Sequence, residues 1–532
     1  MSIYRGCLAV VLLGLPLLVA AGSDTGLLEA VKKGDHARLQ ALLKDKSIDV
    51  NATQTDGSTA LHWAAHRNDL QAAELLLKAG AKPAAANIYK VSPLHLACTN
   101  RSDDVALALI QAGADAKAAL LTGETALMEC ARTGAAKAVA AMLKAGAEVN
   151  AKESGQGQTA LMWAAGMGHS DVVKLLLEHG ADANMTTAET AAKVPNTCRI
   201  CSWKPSPGGF TALLFAARSG DLESARLLVQ AGADPKAATA EDGNSLVIAS
   251  ASGHEDVALF LLQSGAKTDV ADDNGVTALH YAFYNGLSRM HGYTYDPVYR
   301  VRPPNMPKLA QALLEAGADP NARIARNYSI GPEIRGSCES LEGTSGATPF
   351  ILAAASADAP MLNLLAKFEA DVNLAMEDGT TPLIAAARSS CTLAHQRGDN
   401  SNAPEAAQSL EAVKTLVGMG LDLNQADSRG NTPLHMSAFS GAGVVAQYLA
   451  EKGADINVRN QNGETPWTMA SGISPTLQGT GSYGTHEDTV ALLLKLGAEQ
   501  ITLSQIERQA SSATSNVSII RDPDAGDVNI GQ

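Results

Sequence analysis

A helix-opening tripeptide recurs along this chain at a spacing that a single hydrophobic core would not impose. It consists of Thr, Ser or Asn, then Pro, Ala or Ser, then an apolar residue. It begins at Thr59, Ser92, Thr125, Thr159, Thr211, Asn244, Thr277, Thr348, Thr381, Thr432 and Thr465. Successive starts lie 33, 33, 34, 52, 33, 33, 71, 33, 51 and 33 residues apart. A fixed period of this size marks a repeat architecture, in which one supersecondary unit buries its apolar face only against its neighbours. The 532 residues are then many copies of one small unit rather than one large core.

Each unit can be read from its own chemistry. Thr accepts a backbone N–H at a helix N-cap, and Pro in the next position already has a helical φ and lacks only an N–H that would go unpaired. Leu61-His62-Trp63-Ala64-Ala65 and Leu434-His435-Met436-Ser437-Ala438 are first helices, with small residues where neighbours must approach. A Gly-containing turn leads to a second, amphipathic helix, as in Gly168-His169-Ser170-Asp171-Val172-Val173-Lys174-Leu175-Leu176-Leu177. Second helices stop at Gly80, Gly113, Gly146, Gly180, Gly232, Gly265, Gly317, Gly453 and Gly497, usually in Gly-Ala-Asp or a close variant. Turn pairs such as Asp56-Gly57, Asp242-Gly243, Asn274-Gly275, Asp378-Gly379 and Asn462-Gly463 then suit hairpin tips. Hydrophobic residues reach 46% while aromatics supply only 4%, a diet of Ala, Leu and Val that fits closely packed helix pairs.

With Thr-Pro-Leu-His-x-Ala-Ala, Gly-His and Leu-Leu-x-x-Gly-Ala-Asp all represented, the sequence resembles the ankyrin-repeat family over about residues 24–499, roughly twelve units. The first unit, within 22–54, is degenerate and caps the stack. The resemblance implies an all-α repeat solenoid of helix-turn-helix units with hairpin fingers, whose concave face binds partner proteins. It also implies that the positions just after the small residues of the first helix contact the partner: His66, Arg67, Arg132, Met167, Arg218, Tyr284, Arg388 and Phe439. A solvated helix face is the plainer reading of the same row.

Residues 1–21 read as a secretory signal. Arg5 supplies the positive start, Leu8–Leu18 an apolar run, and Val19-Ala20-Ala21 a small-residue cleavage site. That run is shorter than the roughly 20 residues that span a bilayer, so an uncleaved anchor is the weaker alternative. The expectation is an exported bacterial protein, periplasmic or extracellular and monomeric. Its net charge of −14 argues against a nucleic-acid or anionic-membrane partner.

The period breaks in five places. Two fingers are lengthened, at 188–208 and 324–345, and three interhelix loops, at 287–307 and near 389–404 and 472–485. The 287–307 insertion carries Arg289, Tyr293, Tyr295, Tyr299, Arg300 and Arg302, beside Tyr281, Phe283 and Tyr284 of the same unit. Tyr and Arg dominate binding hot spots, so this segment is read as the specific partner site. The alternative is that the tyrosines pin a long loop against its own solenoid. Residues 501–532, rich in Ser, Ala, Asn and Asp, have the composition of a disordered tail.

Residues for chemistry are scarce. Cys98 and Cys130 occupy small-residue positions of first helices and read as buried thiols. Cys198-x-x-Cys201 lacks the following His of a haem site, a helix N-terminus to activate a dithiol, and nearby ligands to complete a zinc site. A local disulfide between them is favoured, with a metal site as the lesser alternative. His62, His95, His280 and His435 stand in the helix-start motif, where the resemblance implies hydrogen bonds to backbone between repeats. No G-x-S-x-G, H-E-x-x-H, phosphate loop or calcium loop occurs. The expectation is a non-enzymatic interaction scaffold with no cofactor and no metal, bound to another protein. The alternative is an accessory or regulatory subunit of an exported, possibly redox, enzyme.

Overall fold

The structure is a computed structural model, and it describes residues 23–188, 208–283, 287, 304–325, 345–388, 403–473 and 485–502. These residues fall into two compact units, residues up to 188 with 208–234 forming unit 1 and those from 235 onward forming unit 2.

Unit 1 holds six helix pairs: α1 (Ser23–Lys33) with α2 (His36–Leu42), α3 (Ala60–His66) with α4 (Leu70–Lys78), α5 (Pro93–Thr99) with α6 (Asp103–Gln111), α7 (Ala126–Thr133) with α8 (Ala136–Lys144), α9 (Ala160–Met167) with α10 (Ser170–Glu178), and α11 (Ala212–Ser219) with α12 (Leu222–Gln230). Unit 2 holds six more: α13 (Ser245–Ala251) with α14 (Glu255–Gln263), α15 (Ala278–Ala282) with α16 (Pro307–Glu315), α17 (Pro349–Ala355) with α18 (Ala359–Lys367), α19 (Pro382–Arg388) with α20 (Ala403–Gly418), α21 (Pro433–Phe439) with α22 (Gly443–Glu451), and α23 (Pro466–Ala470) with α24 (Glu487–Lys495). Within unit 1, first helices pack on first helices and second on second, making two layers. The core between them is made of residues such as Leu61, Ala64, Ala65 and Leu76, which are fully buried. The small hairpin β1 (Ala238–Thr239) with β2 (Gly243–Asn244) is antiparallel, and isolated bridges join Thr53 to Thr59, Ala119 to Thr125 and Ala271 to Thr277.

The repeated sequence signals act as capping chemistry predicts. Thr125, Thr159 and Thr211 have extended backbone, and their hydroxyls accept the N–H of Met128, Met162 and Leu214. Second helices open on Asp69, Asp221 and Asp358, whose carboxylates accept from Ala72, Ser224 and Met361.

Three kinds of tie join neighbouring repeats. The first is the helix-start histidine. The Thr59 and Thr277 N–H groups each donate to the Nδ1 of His62 or His280 at 3.1 Å. The opposite nitrogen, Nε2, then carries the proton and donates to the carbonyl of Val91 or Ala322 in the next finger, at 3.0 Å in both cases. His435 makes the same bridge to Glu464 at 3.1 Å. The far nitrogen of His95 faces the Glu124 backbone without a hydrogen bond of regular geometry. Burial favours the neutral ring and lowers the pKa of all four, to about 4 for His95 and His280.

The second tie is an asparagine clamp. Asn150 donates to the Gly180 carbonyl at 3.1 Å and accepts from the Asp182 N–H at 2.9 Å. Asn184 does the same with Gly232 and Asp234 at 2.9 and 3.0 Å.

The third tie is a ladder across finger tips. Ser154 N–H donates to the Thr122 carbonyl at 2.8 Å, and Ile88 N–H to the Asp56 carbonyl at 3.0 Å. Glycine makes this approach possible: a Cβ on Gly123, whose φ is +80, would stand 2.8 Å from Ser154 Oγ and 3.1 Å from its nitrogen. The finger between these two carries Lys90 at the corresponding place, with φ +63. Among the described residues, no tip-to-tip backbone bond joins that finger to the one at Leu121.

The cysteine expectation needs correction. Cys98 and Cys130 are not free thiols but form a disulfide between α5 and α7, with their Cα atoms 4.4 Å apart. The small residues that let adjacent first helices approach so closely also bring the two sulfurs together, and both residues are fully buried.

Candidate functional site

Burial repeats along every first helix of unit 1. The one to three residues after the N-cap face the second helices and are buried, and so are the next two small residues. Side chains four, seven and eight residues after the N-cap are therefore the ones left on the outer face of the layer. At the fourth position stand Trp63, Leu96, Glu129, Trp163 and Phe215, all half-buried except the buried Glu129. At the seventh and eighth stand His66 and Arg67, Arg132, Met167 and Arg218. In the first pair, Gly34 takes the left-handed interhelix turn that Asn68 takes in the second, which puts Glu29, Lys32 and Lys33 on the same face.

These residues contact one another across repeats. Lys32 Nζ lies 4.8 Å from the Trp63 ring, accepts Glu29 as an ion-pair partner at 3.5 Å and donates to Gln54 at 3.2 Å. His66 meets Trp63 edge-on at 5.8 Å. Phe215 tilts against Phe210 at 5.4 Å, and the Arg218 guanidinium covers Phe210 at 4.4 Å. Arg132 grips the buried carboxylate of Glu129 through Nη2 at 2.7 Å and Nε at 3.1 Å. Close by, burial and the charges of Glu129 and Glu153 push the Glu124 carboxyl up. The indole Nε1 atoms of Trp63 and Trp163 are turned inward and have no hydrogen-bond partner. What each indole shows to solvent is thus hydrocarbon. Met167, 47% exposed, extends the apolar strip.

Unit 2 presents a different surface at the same positions. Ile248, Tyr281, Leu352, Ala385 and Met436 are all buried, and only Met469 of this row is half-buried. Tyr281, read as a contact residue, is 6% exposed, and its hydroxyl donates to Asp272 at 2.8 Å. That reading is corrected: the ring is core, and burial raises the pKa of the Asp272 carboxyl it serves. Arg388 is likewise buried at 8% exposure, with its guanidinium 5.9 Å from the half-buried Phe439 ring. At this exposure the side chain offers little surface to a partner, so Arg388 leaves the exposed row. Tyr284, Arg289, Tyr293, Tyr295, Tyr299, Arg300 and Arg302 lie outside the described residues, as do Cys198 and Cys201.

The sequence reading missed Trp63, Trp163, Phe215, Lys32, Lys33 and Glu129. Their shared signal is a constant offset from each N-cap, visible once the period is known. It also missed Ile88, Tyr89 and Leu121, large apolar side chains exposed on two neighbouring finger tips. Among the described residues no group of His, Cys, Asp or Glu is placed to hold a metal ion, and no helix is long and apolar enough to cross a membrane.

The profile described as ankyrin repeats in three copies matches residues 27–119, 112–187, 213–324 and 403–503, and a second, for many copies, matches 167–229. The chain belongs to the ankyrin-repeat family. Among its relatives, human transient receptor potential cation channel subfamily A member 1 is 27% identical over 450 residues, covering 83% of this chain and 34% of that protein. Human ankyrin repeat and SOCS box protein 16 is 28% identical over 318 residues, 55% of this chain and 62% of the relative. Human protein phosphatase 1 regulatory subunit 27 is 44% identical over 57 residues, 11% of this chain and 37% of the relative. The chain therefore spans between about a third and three fifths of the length of these relatives. A solved human ASB11 ankyrin repeat domain aligns with 45% of this chain and 98% of its own, at 24% identity and a TM-score of 0.37.

Proposed function

We propose that this ankyrin-repeat protein is a non-enzymatic scaffold that docks a partner protein on the outer first-helix face of unit 1. The supporting observation is the row of half-buried Trp63, Leu96, Trp163 and Phe215, rimmed by Lys32, His66, Arg67, Arg132 and Arg218. Aromatic and Arg side chains bury large area at modest entropic cost. The Tyr- and Arg-rich insertion at 287–307 stands as a second proposed contact on composition alone.

The protein is proposed to act outside the cytoplasm, in a periplasm or beyond the cell. The apolar run and small-residue site in 1–21 support export, and the Cys98–Cys130 bond suits an oxidising compartment. A regulatory-subunit role is the second reading, favoured by the name of the phosphatase 1 relative and limited to the 11% of the chain it matches.

Affinity capture with the chain lacking residues 1–21 tests the first reading. A stoichiometric partner bound by the native chain should be lost with the double variant Trp63→Ala, Trp163→Ala while circular dichroism stays unchanged. Undiminished capture by the folded variant would reject this face. If the captured protein is an enzyme whose rate changes on adding the chain, the regulatory reading gains.

A further inference from the structure

We propose that the partner segment taken by the unit 1 face is acidic and apolar, with Asp or Glu interleaved with large hydrophobic side chains. This rests on the docking reading above and adds to it the chemistry of the partner.

Charge is distributed unevenly along the molecule. The fourth, seventh and eighth positions of unit 1 carry Lys32, Lys33, Arg67, Arg132 and Arg218 with Glu29 and Glu129, and off these positions Glu124 and Glu153 lie near the Glu129 end. Five positive groups against two negative ones at these positions leave an excess of three, on a chain whose total is −14. Both carboxylates are already engaged, Glu29 by Lys32 at 3.5 Å and Glu129 by Arg132 at 2.7 Å. An incoming carboxylate therefore meets the exposed Lys33 and Arg67 at the end of the layer where Glu29 is already paired with Lys32. The described residues at the same positions in unit 2 include one charged side chain, Arg388, and it is buried. Among the described residues, the positive excess at these positions belongs to unit 1 and is not a property of the repeat.

Between the cations lie apolar surfaces. Trp63 and Leu96 stand beside the Lys32 and Arg67 end, and Trp163, Met167 and Phe215 beside Arg218. Cationic and hydrocarbon patches alternate along the layer. A uniformly acidic strand would leave the rings uncovered, and a purely apolar one would desolvate the exposed Lys33 and Arg67 cations. Nucleic acid is the poorer match, because a phosphate backbone needs an unbroken cationic track and here large apolar side chains interrupt it.

Panning a phage-displayed random dodecapeptide library on the chain lacking residues 1–21 tests this. The expected result is enrichment of Asp and Glu together with Leu, Phe or Trp. Binding of the selected peptides should weaken on the order of tenfold in Lys33→Glu or Arg67→Glu, and again in Trp163→Ala. Lys33 and Arg67 are exposed at interhelix turns, so their reversal leaves the core intact. Neutral or basic peptides with the same sensitivity would overturn the proposed chemistry and leave the docking face standing. Peptides indifferent to all three substitutions would overturn the docking face itself. Duplex DNA retained at this face in place of acidic peptides would overturn the choice of partner class.

Discussion

Acid should weaken unit 2 through His280, and the size of the effect can be worked out from its burial. The ring is fully buried and neutral, its pKa lowered from about 6.5 to about 4. A depressed folded-state value means that the unfolded chain binds the proton first, so stability is full above pH ~6.5 and falls as pH drops toward ~4. With these two values the loss between pH 7.5 and 5 is about 2 kcal/mol, and the limit below pH 4 is about 3 kcal/mol. His435, also lowered, acts in the same direction, while Asp272, raised, acts against it. A variant removes these shared terms. His280→Thr reproduces a pairing that the chain already uses, since Thr468 accepts the Thr465 N–H at 2.8 Å in the last repeat. At pH 7.5 the substitution gives up the 3.0 Å bond to Ala322 and should cost about 1 kcal/mol. Urea unfolding by circular dichroism, with hydrogen exchange of the α15 amides, should show this gap closing or reversing at pH 5. A gap of equal size at both pH values would refute the claim that a neutral buried imidazole ties these repeats.

Two further predictions concern unit 1. Gly123→Ala places a Cβ 2.8 Å from Ser154 Oγ in left-handed backbone and should lower stability by about 2–3 kcal/mol, whereas Lys90→Gly, which relieves φ +63, should raise it by about 1 kcal/mol. Urea midpoints of the pair should move in opposite directions, and movement in the same direction would contradict the steric account of the finger ladder. Replacing Cys98 and Cys130 together with Ala removes a link across 32 residues of sequence and should cost about 3–4 kcal/mol by chain entropy. Thiol titration of the unreduced chain in denaturant should detect neither Cys98 nor Cys130, and two reactive thiols at these positions would refute the link.

What was legible in the sequence followed from chemistry confined to one repeat. Thr125 accepts the Met128 N–H because cap and acceptor lie three residues apart, and spacing alone reveals such a pair. The bridging histidines were legible through the family resemblance, because His62 sits at a fixed place in its motif. Contacts that depend on how one repeat registers against the next were hidden. Cys98 and Cys130 each look like an ordinary small residue, and only the approach of α5 and α7 to 4.4 Å makes them a pair. Tyr281 was misjudged likewise, because its partner Asp272 belongs to the preceding finger and nothing local marks the hydroxyl as satisfied. The unit 1 face combines both cases. Its positions were fixed by the period, but a Trp four residues after an N-cap can be core or surface, as the burial of Tyr281 at the same offset shows. What separates them is whether the neighbouring surface leaves the ring uncovered, a property of the assembled layer and not of any one repeat. Composition drew attention to the tyrosine-rich insertion, whereas the cations and indoles of unit 1, spread over five of its six repeats, became a site only when the fold aligned them.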